Sequence, residues 1–522
     1  MALSIRSWFV FMFFTWTWAL VLANHSSNNQ TMHTKVMILG AGAAGVSAAR
    51  TLARHGIHDF IMIDAQSFVG GRVQYADFGD DRVELGANWI YGKGANPIYK
   101  LATRHGLKSV PNDKNDLWFY DDQGEVQYEK GVKINNQFAN IMEDMVTLAD
   151  DRLEHNEVDL ASRSALRLLD WEPDTPLKAA VEYFAVDWEL AEPAEVASLD
   201  YATGTSDMTT GVFPFGNEFV VDPRGFNHIL KSEAAEILKP DDPRLLLDTR
   251  ITDIYYNDHG VTIKTDRGHN ITSDFAICTF SLGVLQSKSV KFHPPFPAWK
   301  REGLFSFHMT TYTKIFLKFD HKFWGDWQFA LYANNKTERT GYYTVWQNLN
   351  APGYLSVNGG LQKRGADNIL MVTTTYKESA RIERMTDDEV ATEVTDVLRT
   401  MFPDQNVTRP TEILFPRWHS NPLFHGSYSN WPVGMSTQHH DNVRAPLPPK
   451  HPRLWFAGEA TSSDYYGYLH GSWYEGKSVG ESIYKCIKSA CPSVTYYEHV
   501  TSCDSKNSRV TVKFRRGSKR GL

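Results

Sequence analysis

The chain carries short apolar runs of different period, and the period sorts them into elements. Lys35-Val36-Met37-Ile38-Leu39 is apolar almost without a break, as a strand buried on both faces must be, and it passes directly into Gly40-Ala41-Gly42-Ala43-Ala44-Gly45. The alanine-rich stretch through Arg54 predicts a helix, and Phe60-Ile61-Met62-Ile63 predicts a second strand ending in Asp64. Residues 244–256 predict two short strands around Asp248-Thr249, and 261–265 and 275–280 continue the strand pattern into Ser281-Leu282-Gly283. Leu454-Trp455-Phe456-Ala457 is another buried-strand run, followed by Gly458-Glu459, a turn-rich segment and a helix from about Gly471 to Cys486. Residues 311–319 alternate with period two instead, which sets Tyr312 and Lys314 on one strand face and Ile315 on the other. A lysine among apolar neighbours is costly unless partnered, which marks Lys314; Lys318, on the same alternation, is expected at the surface.

Strand, glycines, helix, strand and terminal acid in register form a nucleotide-binding βαβ unit. Gly40 allows the tight turn, Gly42 lets backbone amides approach a pyrophosphate, and Gly45 lets the helix pack on the sheet with its N-terminus toward the phosphates. Asp64 sits where an acid accepts hydrogen bonds from ribose hydroxyls. A second glycine turn, Gly70-Gly71-Arg72, adds a phosphate contact and points to a flavin rather than a nicotinamide nucleotide. Because strand patterns of this kind return late in the chain, the predicted fold is α/β with a discontinuous nucleotide domain built from 34–115, 225–285 and 440–490. Residues 116–224 and 286–439 are then inserted as a substrate domain.

With 42% hydrophobic and 22% charged residues the chain is globular in composition. The net charge of −7 argues against a general nucleic-acid binder and leaves cationic substrates open. Residues 491–522 form a basic tail: Lys506, Arg509, Lys513, Arg515, Arg516, Lys519 and Arg520 follow with no acid after Asp504, so that without those seven charges the rest falls from −7 to −14. Such a tail suits a solvated extension, retention at an anionic surface such as a cell wall, or a sorting signal. Residues 1–23, with Arg6 ahead of an apolar run and a small-residue site at Val21-Leu22-Ala23, predict a cleaved secretory signal, the run being short for a spanning helix. Sequons at Asn24, Asn29, Asn270, Asn335 and Asn406 fit that route. Of four cysteines, Cys486, Cys491 and Cys503 are close enough in sequence for one disulfide, with the pairing open, and Cys278 reads as a buried strand thiol. No cysteine or histidine cluster has zinc spacing, so no metal site is expected.

The motifs Gly40 to Gly45, Asp64, Gly70-Gly71-Arg72, Glu84-Leu85-Gly86-Ala87-Asn88-Trp89, Tyr312-Thr313-Lys314, Ser429-Asn430-Trp431, Gly458-Glu459 and Tyr466-Gly467-Tyr468-Leu469-His470-Gly471 stand in one order along the chain. In that order they resemble the flavin-containing amine oxidases, with the nearest likeness to secreted polyamine oxidases of the plant type. The resemblance implies a doubly wound FAD domain, a substrate domain with a mixed sheet flanked by helices, and a tunnel to the flavin ring. It also implies the chemistry: spermine or spermidine gives hydride from the carbon beside a secondary amine to flavin N5, the imine hydrolyses to an aminoaldehyde, and O2 becomes H2O2. FAD is expected to be non-covalent, because no cysteine lies in Gly426-Ser427-Tyr428 or in 461–474, where monoamine oxidase-like relatives attach it.

By the same likeness Lys314 holds a water beside flavin N5, and Tyr428, Tyr468, Tyr312 and Trp89 surround the reacting amine. Glu189 steers the polycation, and is preferred over Glu192. Cofactor contacts fall to Gly40, Gly42, Ala44, Gly45, Asp64, Gly71, Arg72, Ile251, Trp418, Gly458, Glu459 and Tyr468, with Glu459 reaching the ribityl or phosphate part through side chain and backbone. The helix from Gly471 points its N-terminus at the flavin pyrimidine. Tyr91 departs from the pattern: plant-type enzymes carry a second acid there and animal relatives a histidine, so Tyr91 puts the strength of amine binding and the cleavage position in question. Two other readings fit the same sequence, an oxidase of another amine or amino acid on this fold, and a non-catalytic FAD- or polyamine-binding scaffold.

Overall fold

A computed structural model of the chain describes residues 32–205, 213, 216–239, 241–336, 339, 341–355 and 368–498, with two short strands beyond them, Val500–Ser502 and Thr511–Lys513. The expected leader, the sequons at Asn24 and Asn29, Cys503 and the side chains of the basic tail lie outside the described residues.

In the first sheet Met32–Leu39 runs parallel to Phe60–Ile63 on one side and to Asn270–Cys278 on the other. Leu245–Leu246 extends it past Phe60–Ile63, and Leu454–Phe456 runs parallel to the end of Asn270–Cys278. Val261–Thr265 and Ile251–Tyr256 add antiparallel strands, and Lys291–His293 closes the edge. The unbroken apolar run of the first strand has a direct cause. Val36 and Ile38 pack into the core under the helices Ala43–Arg54 and Leu469–Lys488, while Met37 and Leu39 pack into a second core on the opposite face with Ile254, Ile263 and Trp299. Cys486 and Cys491, near the end of the Leu469–Lys488 helix, are joined as a disulfide, and Cys278 is free and buried.

The second sheet is mixed and runs in the order Glu412–Leu414, Tyr312–Phe319, Asn368–Thr375, Val345–Asn348, Phe329–Ala333, Leu117–Asp121, Gly124–Glu125. Tyr312–Phe319 and Asn368–Thr375 are antiparallel, whereas Phe329–Ala333 and Leu117–Asp121 are parallel. Helices Tyr128–Glu154 and Pro176–Ala185 cover one face and Asp387–Met401 the other. The period-two reading of Tyr312–Phe319 holds: Ile315, Leu317 and Phe319 enter the core under Asp387–Met401, and Phe316 enters a different cluster. Lys318 is partly exposed and pairs with Glu412 at 3.0 Å. A small sheet of Trp89–Ile90, Glu218–Val220 and Ser109–Pro111 carries Trp89 toward the second sheet. No helix among the described residues is long and apolar enough to cross a membrane.

Candidate active site

A cavity of about 360 Å³ opens beyond the carboxyl ends of the parallel strands of the first sheet, where α/β folds place their ligands, and extends to the Tyr312–Phe319 strand of the second. At the nucleotide end, Gly40 takes φ +116°, and a Cβ on Gly45 would lie 2.0 Å from the Gly40 carbonyl oxygen, so the helix starts this close to the strand only because residue 45 has no side chain. Asp64 accepts the Ala41 and Gln66 amides at 2.6 and 2.8 Å. Burial pushes its carboxyl pKa up and those two amides oppose the rise. A Cβ on Gly71 would stand 3.3 Å from the Gly42 Cα, so the two glycine turns face each other as bare backbone.

Arg72 Nη1 donates to the Ser427 carbonyl and to Glu459 Oε1, both at 2.8 Å. The other oxygen of Glu459 accepts from the Ser429 amide, the Ser429 hydroxyl and the Gly467 amide. With four donors on one carboxylate, the Glu459 side chain knots three loops together, and Gly458 and Glu459 both line the cavity. Trp418 is buried edge-on to Phe424 at 5.2 Å between ring centroids.

At the other end Lys314 is 2% exposed, its Nζ donating to the carbonyls of Glu84 at 3.1 Å and Gly86 at 2.6 Å and standing 4.7 Å from the Trp89 ring centre. Burial pulls its pKa down to about 7, against the opposing pull of Glu84. Four tyrosines gather beside it. Tyr91 meets Tyr468 edge-on at 4.8 Å, and Tyr312 lies 5.7 Å from Tyr428. Glu189 ties the group together: its backbone oxygen accepts from Tyr428 at 2.9 Å, and Oε1 accepts from Tyr468 at 3.2 Å. Burial holds all four phenols well above their usual pKa, and the Glu189 carboxylate adds to the rise. The four phenols are therefore neutral.

The residues expected from the sequence to touch substrate or cofactor all line this one cavity except Gly45, which supports the turn from behind. Glu192 is turned away, its carboxylate held by His308 and by Asn430. Sequence reasoning missed Trp188, a buried ring 5.7 Å from Trp89 that lines the cavity beside Glu189, although its neighbourhood had already drawn attention. It also missed Lys114, 3.0 Å from Glu189 Oε2, since Asp113-Lys114-Asn115-Asp116 reads as an ordinary solvated turn.

Residues 43–483 match the family model for flavin-containing amine oxidoreductases. The chain belongs to this family. It is 36% identical over 495 residues to polyamine oxidase 1 of Zea mays, covering 90% of this chain and 94% of that one. It is 35% identical over 470 residues to polyamine oxidase 7 of Oryza sativa subsp. japonica, covering 85% and 94%. A solved putrescine oxidase with bound putrescine matches in fold with a TM-score of 0.66, covering 87% of this chain and 99% of that one at 15% identity. As a flavin-containing amine oxidoreductase the protein depends on FAD, and its residues fit that cofactor: two side-chain-free turns in contact, an acid at the end of the second strand, and a guanidinium fixed at the next turn form a cradle for a dinucleotide.

Proposed function

We propose that this chain is a secreted, FAD-dependent oxidase of polyamines. The observation that carries the reading is the Glu189 carboxylate set in a cage of neutral tyrosines beside Lys314, at the end of the cavity away from the nucleotide turns. Named polyamine oxidases among its relatives support the substrate class. In net terms a secondary amine, O2 and water become an aminoaldehyde, a shorter amine and H2O2.

FAD, when bound, would supply the two-electron acceptor for the carbon–hydrogen bond beside the amine, with O2 as the final oxidant. The remaining work belongs to the chain. Gly40, Gly42, Gly71, Asp64 and Arg72 would hold the dinucleotide, and Ile251 and Trp418 line the same cavity. The reacting nitrogen must arrive without its proton, and a dry aromatic cage disfavours the ammonium form. Aromatic faces still attract the cationic remainder of the substrate, by about 0.5–2 kcal/mol each. Lys314, with a pKa near 7, can hold or release a proton under ordinary conditions, as proton movement in this chemistry requires.

Secretion rests on the leader-like residues 1–23, and glycans on exposed Asn335 and Asn406, whereas Asn270 is half-buried in a strand. The basic tail suits retention at an anionic surface. The test of function is anaerobic reduction of the bound flavin by spermine, spermidine, N-acetylspermine, monoamines and amino acids, with mass spectrometry of the products. Rapid bleaching by polyamines is the expected result, and bleaching by none of them would overturn the reading.

A further inference from the structure

The Glu189 carboxylate faces the cavity with Oε1 on Tyr468, while Oε2 meets the Lys114 ammonium at 3.0 Å. Lys114 also stands 5.1 Å from the centre of the Trp188 ring. Its side chain is 39% exposed against 12% for Glu189, and it is not one of the cavity-lining residues, so it reaches in from the solvent side. An ammonium on a flexible four-carbon stem, laid over an aromatic face and set on a carboxylate, is the same chemistry that one end of a polyamine brings to this place. Tyr91 contributes no charge to the cage, which leaves Glu189 as the group contested.

We infer that Lys114 is a tethered competitor for the ammonium group of the substrate: it occupies Glu189 when the cage holds no amine and swings back to solvent when a polyamine places its own ammonium there. The inference rests on the polyamine reading of the site. Lys114 then sets specificity, because a polycation gains at Glu189 only what remains after the lysine is displaced. Partial exposure keeps the pair weak enough to exchange, and the expected cost to substrate affinity is about two- to fivefold.

The test uses the holoenzyme with spermidine. Lys114→Met, which keeps the stem over Trp188, is expected to lower KM about two- to fivefold and to leave kcat nearly where it was. Lys114→Arg is expected to keep the wild-type KM, and in a Glu189→Gln background Lys114→Met is expected to change nothing. An unchanged or raised KM in Lys114→Met, or a fall that persists with Glu189→Gln, would overturn the inference while leaving the polyamine reading intact. Failure of spermidine to reduce the wild-type flavin anaerobically would instead remove the polyamine reading, and this inference with it.

Discussion

Lys314 occupies a position where its two protonation states are nearly balanced. Its ammonium donates to two backbone carbonyls, which favour the charged form, and burial beside Trp89 disfavours it more strongly. A lysine whose folded pKa is about 7 and whose unfolded pKa is near 10.4 binds fewer protons folded than unfolded between those values, so its contribution to stability rises with pH across that window. Below pH 7 the full cost of the buried charge is present. Thermal midpoints of Lys314→Met and wild type, taken from pH 6 to 10, should therefore differ most in favour of the variant at low pH and converge toward pH 10. A gap independent of pH would mean that Lys314 does not titrate in the folded protein. The same variant is expected to slow turnover by about 10²- to 10⁴-fold if the amine moves a proton during oxidation, read as kcat in steady-state assays.

Tyr91 is the other residue whose role is decided locally. Its ring is packed edge-on against Tyr468 and lines the cavity. Tyr91→Phe keeps the packing and removes a donor, and should raise KM for spermidine by about two- to tenfold, the worth of a neutral hydrogen bond. An unaltered KM would show that the phenol contributes shape alone.

Among the elements, the helices Ala43–Arg54 and Leu469–Lys488 cross at an unusually close contact. A Cβ on Gly476 would lie 2.1 Å from the Ala44 carbonyl oxygen, and backbone cannot yield as a side chain can. In an exposed helix Gly→Ala is worth about 1 kcal/mol in favour of alanine, but here overpacking of about 1–3 kcal/mol opposes it and should win. Because Ala44 also lines the cavity next to the first glycine turn, Gly476→Ala is expected to lower both the thermal midpoint and the flavin content of purified protein. A variant of normal flavin content and higher midpoint would show that the crossing has slack. The parallel strands were legible at this scale because both of their faces are buried and their residues show it. The three-stranded sheet that carries Trp89 was not legible, since Trp89–Ile90, Ser109–Pro111 and Glu218–Val220 are too short for a period and meet only through distant pairing.

For the molecule as a whole, the cofactor cavity takes its walls from both sheets, from Gly40 and Asp64 on one side to Tyr312 and Lys314 on the other. Whatever fills it stabilises the folded state by mass action, by about 2.7 kcal/mol at a free concentration a hundred times Kd. Removing FAD should lower the thermal midpoint, and titrating it back should raise it with the logarithm of concentration. Coincident midpoints of apoprotein and holoprotein would contradict the cavity assignment.

What the sequence determined by itself was everything written in contiguous residues: the βαβ unit with its glycines and Asp64, the alternating strand that presents Tyr312 and Lys314, and the motif order that marks the family. These depend on period, turn chemistry and backbone space, which are properties of neighbours along the chain. Only the tertiary structure decided that Cys486 pairs with Cys491, that Glu189 lines the cavity while Glu192 is held by His308, that the Glu459 carboxylate is taken up by Arg72, Ser429 and Gly467, and that Lys114 sits on Glu189. The disulfide turns on which two sulfurs the chain brings together; each of the others turns on which partner satisfies a polar or charged group at least partly withdrawn from water, and for the buried carboxylates that partner is supplied by a distant segment whose approach no local pattern records.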